Sequence, residues 1–324
     1  MLHSSSHTPF SEFIRPALGA ALTVVLLLPN SHGSDGATQA VAQTPGLVAF
    51  WTFGEEAGQT RCSSGTKEKL PLEEVGGPIN RIEGGAFSGY SVQFDGQHYF
   101  RIPYAELGGL NISGKGAQVS MFAVVRVRSG KTIAGIWSEG KGAGDDSGTR
   151  QYAMLMDMPT YGGPNKLTPH ISSEGGVTYR ADGSKFPWCA DYAAGKTSLP
   201  RDEWMTLGFT YDGQFIRAYF NGALDAQDFD AEKQRRTDPY FTTEGPGGGP
   251  RGINPFYHGR GIFAYDATKH GQTKIAPSDF TIGSRLVMGG KLREALVGDM
   301  AGLAVFSRAL SDEEMKTLHA AAHR

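Results

Sequence analysis

Three acidic residues at alternating positions, Asp228, Asp230 and Glu232, have the spacing that hydrolysis of a sugar acetal would need. That reaction takes one carboxyl group as nucleophile and a second as proton donor, and alternate positions of a strand put both on one face. The setting argues against it. The segment is polar and runs into Lys233, Arg235 and Arg236, whereas an acid with a raised pKa needs an apolar, desolvated surrounding. The triplet therefore reads as a solvated loop. His98, His170, His258 and His270 show no zinc-ligand spacing, and no Ser or Cys sits in a nucleophile turn. Residue pattern gives catalysis no positive support, although a Tyr and His pair converging from distant positions would leave no local motif.

Binding is better served. Aromatic rings stack on the apolar faces of sugars, while amide, carboxylate and guanidinium groups meet the hydroxyls. Trp204, Phe215, Arg217 and Tyr219 fall on the non-core face of a hairpin, where they form either a ligand surface or the seat of a covering loop or terminal helix. A second set lies in glycine-rich loops: Tyr161, Asn165, His170 and Trp188 before that hairpin, and Tyr240, Asn254, Phe256, Tyr257 and His258 after it. Long loops on a rigid scaffold are a usual place for ligand contacts, and aromatics there also serve to pin the loops.

The hairpin that must position the first set is EWMTLGFTYDGQFIRAYFNGAL, Glu203 to Leu224. An Asp212-Gly213 turn of two residues sets Tyr211 opposite Gln214, then Phe209 opposite Ile216, Leu207 opposite Ala218 and Met205 opposite Phe220, all facing a core. The remaining strands follow the same alternation. GLVAFWTF begins the domain, and Ser91–Phe94 with His98–Ile102 reads as a second hairpin about Asp95-Gly96. Val119–Arg128 is apolar on both faces and so central. Runs at 132–137, 151–158, 280–283 and 296–307 complete the set. Long insertions occupy 139–200 and 226–278, and Ser311 with Glu314 forms a capping box for one short C-terminal helix, stapled by Leu310 and Met315. The expected class is all-β, a two-sheet antiparallel sandwich spanning 46–322.

Charge is nearly balanced, with Asp+Glu 33 against Lys+Arg 31, which favours neither nucleic acid nor an anionic membrane as partner. Arg15 and the apolar run Ala17–Leu28 read as an export signal, 1–33, too short for a usual span of about 20 residues, so no integral membrane protein is expected, with an uncleaved anchor as the alternative. Cleavage sites lie before Ser34 and, further on, before Gln43, and 34–45 reads as a linker. Export, to the outside or to the periplasm and cell envelope, puts Cys62 and Cys189 where they could bridge. The sequence is equally compatible with two separate thiols.

The order GLVAFWTFGEEAG, SVQFDGQHYFRIP, VSMFAVVRV, EWMTLGFTYDGQFIRAYFNGAL, FTIGS and GDMAGLAVFSRALSDEEM resembles the laminin-G-like jelly-roll family of the concanavalin A-like lectin and glucanase superfamily. The resemblance covers most of 46–319 and implies a secreted bacterial jelly roll of a kind that often binds carbohydrate; the expected role is a glycan- or polysaccharide-binding, lectin-like or adhesive module without catalysis of its own. It leaves open a polysaccharide-cleaving enzyme or a cell-envelope protein-interaction module on the same fold. It also implies a structural calcium near the end of the domain. The family's acidic position is Ala301 here, so that ion would fall to Asp299, with Asp95 as co-ligand. Asp145 and Asp146 form a separate calcium candidate.

Overall fold

The computed structural model describes Met1 and residues 32–64, 68–141, 146–159, 164–179, 183–185, 189, 191–225, 261–270, 276–287 and 291–323. The chain divides into two units at Ser31 and His32, and the second carries every element described here. It opens with helix α1 (His32–Gln43), followed by β1 (Leu47–Trp51), β2 (Arg61–Cys62), β3 (Pro71–Val75), β4 (Arg81–Glu83), β5 (Tyr90–Asp95) and β6 (Tyr99–Ile102). Then come β7 (Val119–Ser129), β8 (Thr132–Ile136), β9 (Tyr152–Leu155), β10 (His170–Ile171), β11 (Trp204–Tyr211), β12 (Ile216–Phe220) and β13 (Ala223–Leu224). After the short α2 (Ala267–His270), the chain ends with β14 (Phe280–Ile282), β15 (Arg285–Val287), β16 (Lys291–Arg293), β17 (Val297–Phe306) and α3 (Asp312–Ala322).

Two antiparallel sheets stack face to face, as the alternation requires. The first runs β13-β12-β11-β7-β17-β5-β4, with β1 also on β17; the second runs β10-β9-β8-β14-β6-β3-β2. Their inner faces form one core, with Met121, Phe209 and Ile216 from the first sheet and Phe100, Met154 and Phe280 from the second. Strand β7 is central, between β11 and β17. Its outward Phe122 and Val124 lie in a second core with Ala37 and Val41 of α1 and Met315 and Leu318 of α3. The capping box of α3 forms as expected, with Ser311 and Glu314 bonded reciprocally.

Several expectations are corrected. The organising hairpin pairs Tyr211 with Ile216, Phe209 with Ala218 and Leu207 with Phe220, two residues out of the expected register. The Asp212 carboxylate accepts from the Gln214 and Phe215 amides, so the turn holds four residues rather than two. A shift of two leaves every side chain on its expected face. Asp95-Gly96 does not close a hairpin: β5 pairs with β4 and β17, whereas β6 pairs with β3 and β14. It is a corner carrying the chain from one layer to the other. Phe94 and Phe100 on its two arms meet edge to face in the core, 5.7 Å apart.

The expected linker, 34–45, is mostly helix α1, which packs on the sandwich and contains both candidate cleavage positions. Strands β9 and β10 occupy part of the 139–200 insertion. Cys62 and Cys189 are not bridged to each other. Cys62 is on β2, the edge strand, while Cys189 packs with Ala153 and Leu155 of β9 near the opposite edge. Several strand spacings of about 4.8 Å separate them, far beyond the ~7 Å limit for a bridge.

Candidate functional site

Helices α1 and α3 cover only part of the outer face of the first sheet. Outward positions on β7 read Phe122, Val124, Arg126, Arg128, and the change from apolar to cationic marks where the cover stops. On β11 the same boundary falls between Thr206, bonded to His319 of α3 at 2.9 Å, and Trp204, which is 36% exposed. Among the described residues, the uncovered part carries a polar cross-strand row. Trp204 stands opposite Arg126, Arg126 opposite Asp299 and Asp299 opposite Gln93, across β11, β7, β17 and β5. An aromatic ring, a guanidinium, a carboxylate and an amide thus line up over three strand spacings, about 14 Å.

Asp299 organises this row from below. It is 0% exposed, and its Oδ2 accepts from Arg126 Nε at 2.7 Å and from Arg128 Nη2 at 2.7 Å. Asp202 approaches the same pair from the solvent side, 3.1 Å from Arg128 Nε. Held this way, the Arg126 guanidinium lies 5.3 Å from the centroid of the Trp204 ring, within cation–π range. The two arginines keep further N–H groups toward solvent, being about one third exposed. The arrangement offers a flat ring for stacking and fixed donors beside it.

Calcium does not fit Asp299. Two guanidiniums take up its oxygens, and a divalent cation placed there would meet two positive charges instead of the six to eight oxygens it needs. Asp95 is committed to its own corner, accepting from the Gln97 and His98 amides and from His98 Nδ1 at 2.7 Å. Those bonds hold its carboxyl below the ordinary range against the opposing effect of burial. Asp146 is paired with Lys185 and bonded to the Tyr179 hydroxyl. Asp145 lies outside the described residues.

The other expected site residues do not converge on Trp204. Tyr219 is buried beneath α3, its hydroxyl donating to Asp312 at 2.6 Å, so it serves packing rather than a ligand. Arg217 pairs with Asp212 at 2.6 Å and lies over the Phe215 ring. Both sit at the turn end of the hairpin, about 20 Å along the strands from Trp204 at ~3.3 Å per residue. Asn165 occupies a turn, bonded to Arg201, and His170 is enclosed on the outer face of the second sheet. Tyr161, Trp188, Tyr240, Asn254, Phe256, Tyr257 and His258 lie outside the described residues, as do Asp228, Asp230 and Glu232. Sequence reading missed Gln93, Arg126 and Arg128, although the outward apolar-to-Arg switch on β7 could have found two of them.

No family model matches the chain, and no curated protein matches it. Among solved structures, it is similar to domain 4 of AbnA, a GH43 extracellular arabinanase from Geobacillus stearothermophilus, in complex with arabinotriose. That similarity has 15% identity and a TM-score of 0.48, covering 84% of this chain and 98% of that one. It is also similar to the binding domain of Paraclostridial Mosquitocidal Protein 1, at 10% identity and a TM-score of 0.44, over 85% of this chain and 52% of that one. Trypanosoma rangeli sialidase in complex with the inhibitor DANA gives 14% identity and a TM-score of 0.45, over 86% of this chain and 33% of that one. The chain therefore spans about half the length of the second of these and a third of the last.

Proposed function

We propose that this protein is an exported, non-catalytic carbohydrate-binding module of the laminin-G-like kind, with its glycan on the Trp204–Arg126–Asp299–Gln93 row. The observation that supports this reading is the pairing of an exposed indole with a guanidinium fixed from below by a buried carboxylate. Trp204 stacks on a sugar face, Arg126 and Arg128 donate to its hydroxyls, and Gln93 supplies a mixed donor and acceptor further along. Because Asp299 fixes both guanidiniums in advance, little side-chain freedom is lost when the ligand arrives. The row runs across the strands and suits a chain longer than one sugar.

A glycan array probed with the wild-type protein and with Trp204→Ala tests this. Binding to one class of glycan, lost or greatly weakened in a variant that melts at the wild-type temperature, supports the reading. Equal binding by both proteins moves the site elsewhere. Release of reducing sugar from mixed polysaccharides would overturn the non-catalytic part.

A further inference from the structure

The outer face of the second sheet carries a different cluster, away from the Trp204 row. His170, Ala153, Gly135, Thr281, Arg101 and Glu73 stand opposite one another in succession across six strands. The middle of that row is low: a Cβ at Gly135 would come within 2.5 Å of Ala153. Beside this floor, two residues beyond Gly135, stands the indole of Trp137. Two guanidiniums lie near its ring centroid, Arg285 at 4.8 Å and Arg150 at 5.0 Å, and the His170 ring meets it edge-on at 4.3 Å. All four side chains are nearly or wholly closed to solvent.

What sets the cluster apart is the kind of polar atom it leaves over. Trp137 Nε1, Arg150 Nε and Nη2, Arg285 Nε and Nη1, and both His170 ring nitrogens are buried without a hydrogen-bond partner. Arg150 is 0% exposed and makes no ion pair among the described residues; its hydrogen bonds run from Nη1 to the carbonyls of Gly175 and Gly176. Two carboxylates lie nearby. Glu294 is shared between Arg285 and Lys131, and the buried Asp191 accepts from Thr178 through Oδ2 at 2.7 Å while its Oδ1 adds one buried acceptor to the cluster. Burial, reinforced by Arg150 and Arg285, pushes His170 well below its usual range, while the Asp191 main chain opposes this without completing a hydrogen bond.

Guanidinium N–H groups left without acceptors in a protein interior are destabilising. Water is a poor remedy, because it brings donors as well as acceptors to a set in which the guanidinium and indole N–H groups outnumber the acceptors, Asp191 Oδ1 and one His170 nitrogen. A carboxylate or sulfate, which only accepts, matches both the charge and the donor surplus. We propose that the Arg150–Trp137–Arg285 cluster is a second, enclosed binding site that takes one small oxyanionic group, a carboxylate or sulfate, either free or carried on an acidic sugar.

The site is closed, so exchange is slow and the anion stays with the protein through purification. Two measurements test this. Ion chromatography of denatured, extensively buffer-exchanged protein should recover a stoichiometric oxyanion from the wild type and none from Arg150→Met. Thermal melts of protein refolded from denaturant in oxyanion-free buffer, at constant ionic strength, should show a saturable rise with acetate, sulfate or galacturonate in the wild type that Arg150→Met lacks. That comparison removes the general stabilisation which sulfate gives any protein. A response to acetate and galacturonate alike identifies a free anion, and a response to galacturonate but neither to acetate nor to galactose identifies a sugar-borne carboxylate. If no anion is recovered and the wild type melts identically in every salt, water fills the cluster and the proposal fails. Neither result depends on whether the Trp204 row binds glycan. If Arg150→Met does not fold, anion recovery from the wild type still decides.

Discussion

In the proposed site, Trp204, Arg126 and Asp299 divide the work: contact, polarity and support. Removing the indole costs the stacking alone, so Trp204→Ala should lower glycan affinity about tenfold, ~1.4 kcal/mol, with no change in melting temperature. Titration calorimetry paired with a thermal melt checks both halves. Asp299 is different because it is buried beneath two guanidiniums. Asp299→Asn keeps the shape but loses charge-assisted bonds, a destabilisation of about 2 kcal/mol. The loss should be identical in calcium and in EDTA, and a penalty that vanishes in EDTA would mean that the carboxylate holds a metal. The type of residue at 204 announced an exposed aromatic, and alternation placed it correctly. The sequence could not say that residue 299 meets 126 and 128, since that contact is made only when β17 pairs with β7.

Among the elements, α3 was fully readable from Ser311, Glu314, Leu310 and Met315, because capping and stapling are local. Its pH response follows from Glu314. The Arg308 bond holds that carboxyl at about 2, against an ordinary value near 4.5. A folded-state pKa below the unfolded one means that the stabilisation is complete above about 4.5 and is lost as pH falls through about 2. Melts across that window should show wild type losing stability more steeply than Glu314→Gln. Helix α1 was missed for the opposite reason. Gly33 and Gly36 weaken its propensity, and its apolar stripe is little more than Ala37 and Val41, so contacts with the sheet and α3 hold it in place. A chain beginning at Gln43 loses those contacts and should be less stable than one beginning at Ser34 by about 2–3 kcal/mol, the worth of burying a side chain such as valine. Equal melting of the two would show that α1 contributes nothing.

For the molecule as a whole, the period-two pattern was enough to specify a sandwich, because it fixes which side chains face in. Phe209 and Ile216 share the core even though the turn between them is longer than Asp-Gly suggested. The same pattern could not say which strands belong to which sheet, and Asp95-Gly96, with the chemistry of a hairpin turn, is a corner between layers. Nor could it reveal where the terminal helices would stop, yet that boundary leaves the Trp204 row open while closing over Tyr219. The proposed function therefore depends on what the helices leave uncovered. The most direct test is titration calorimetry of the full chain with the best ligand from a glycan array, comparing wild type with Trp204→Ala and Tyr219→Phe. Affinity should fall about tenfold with the first and stay unchanged with the second, whereas an undiminished affinity in Trp204→Ala would contradict the site outright.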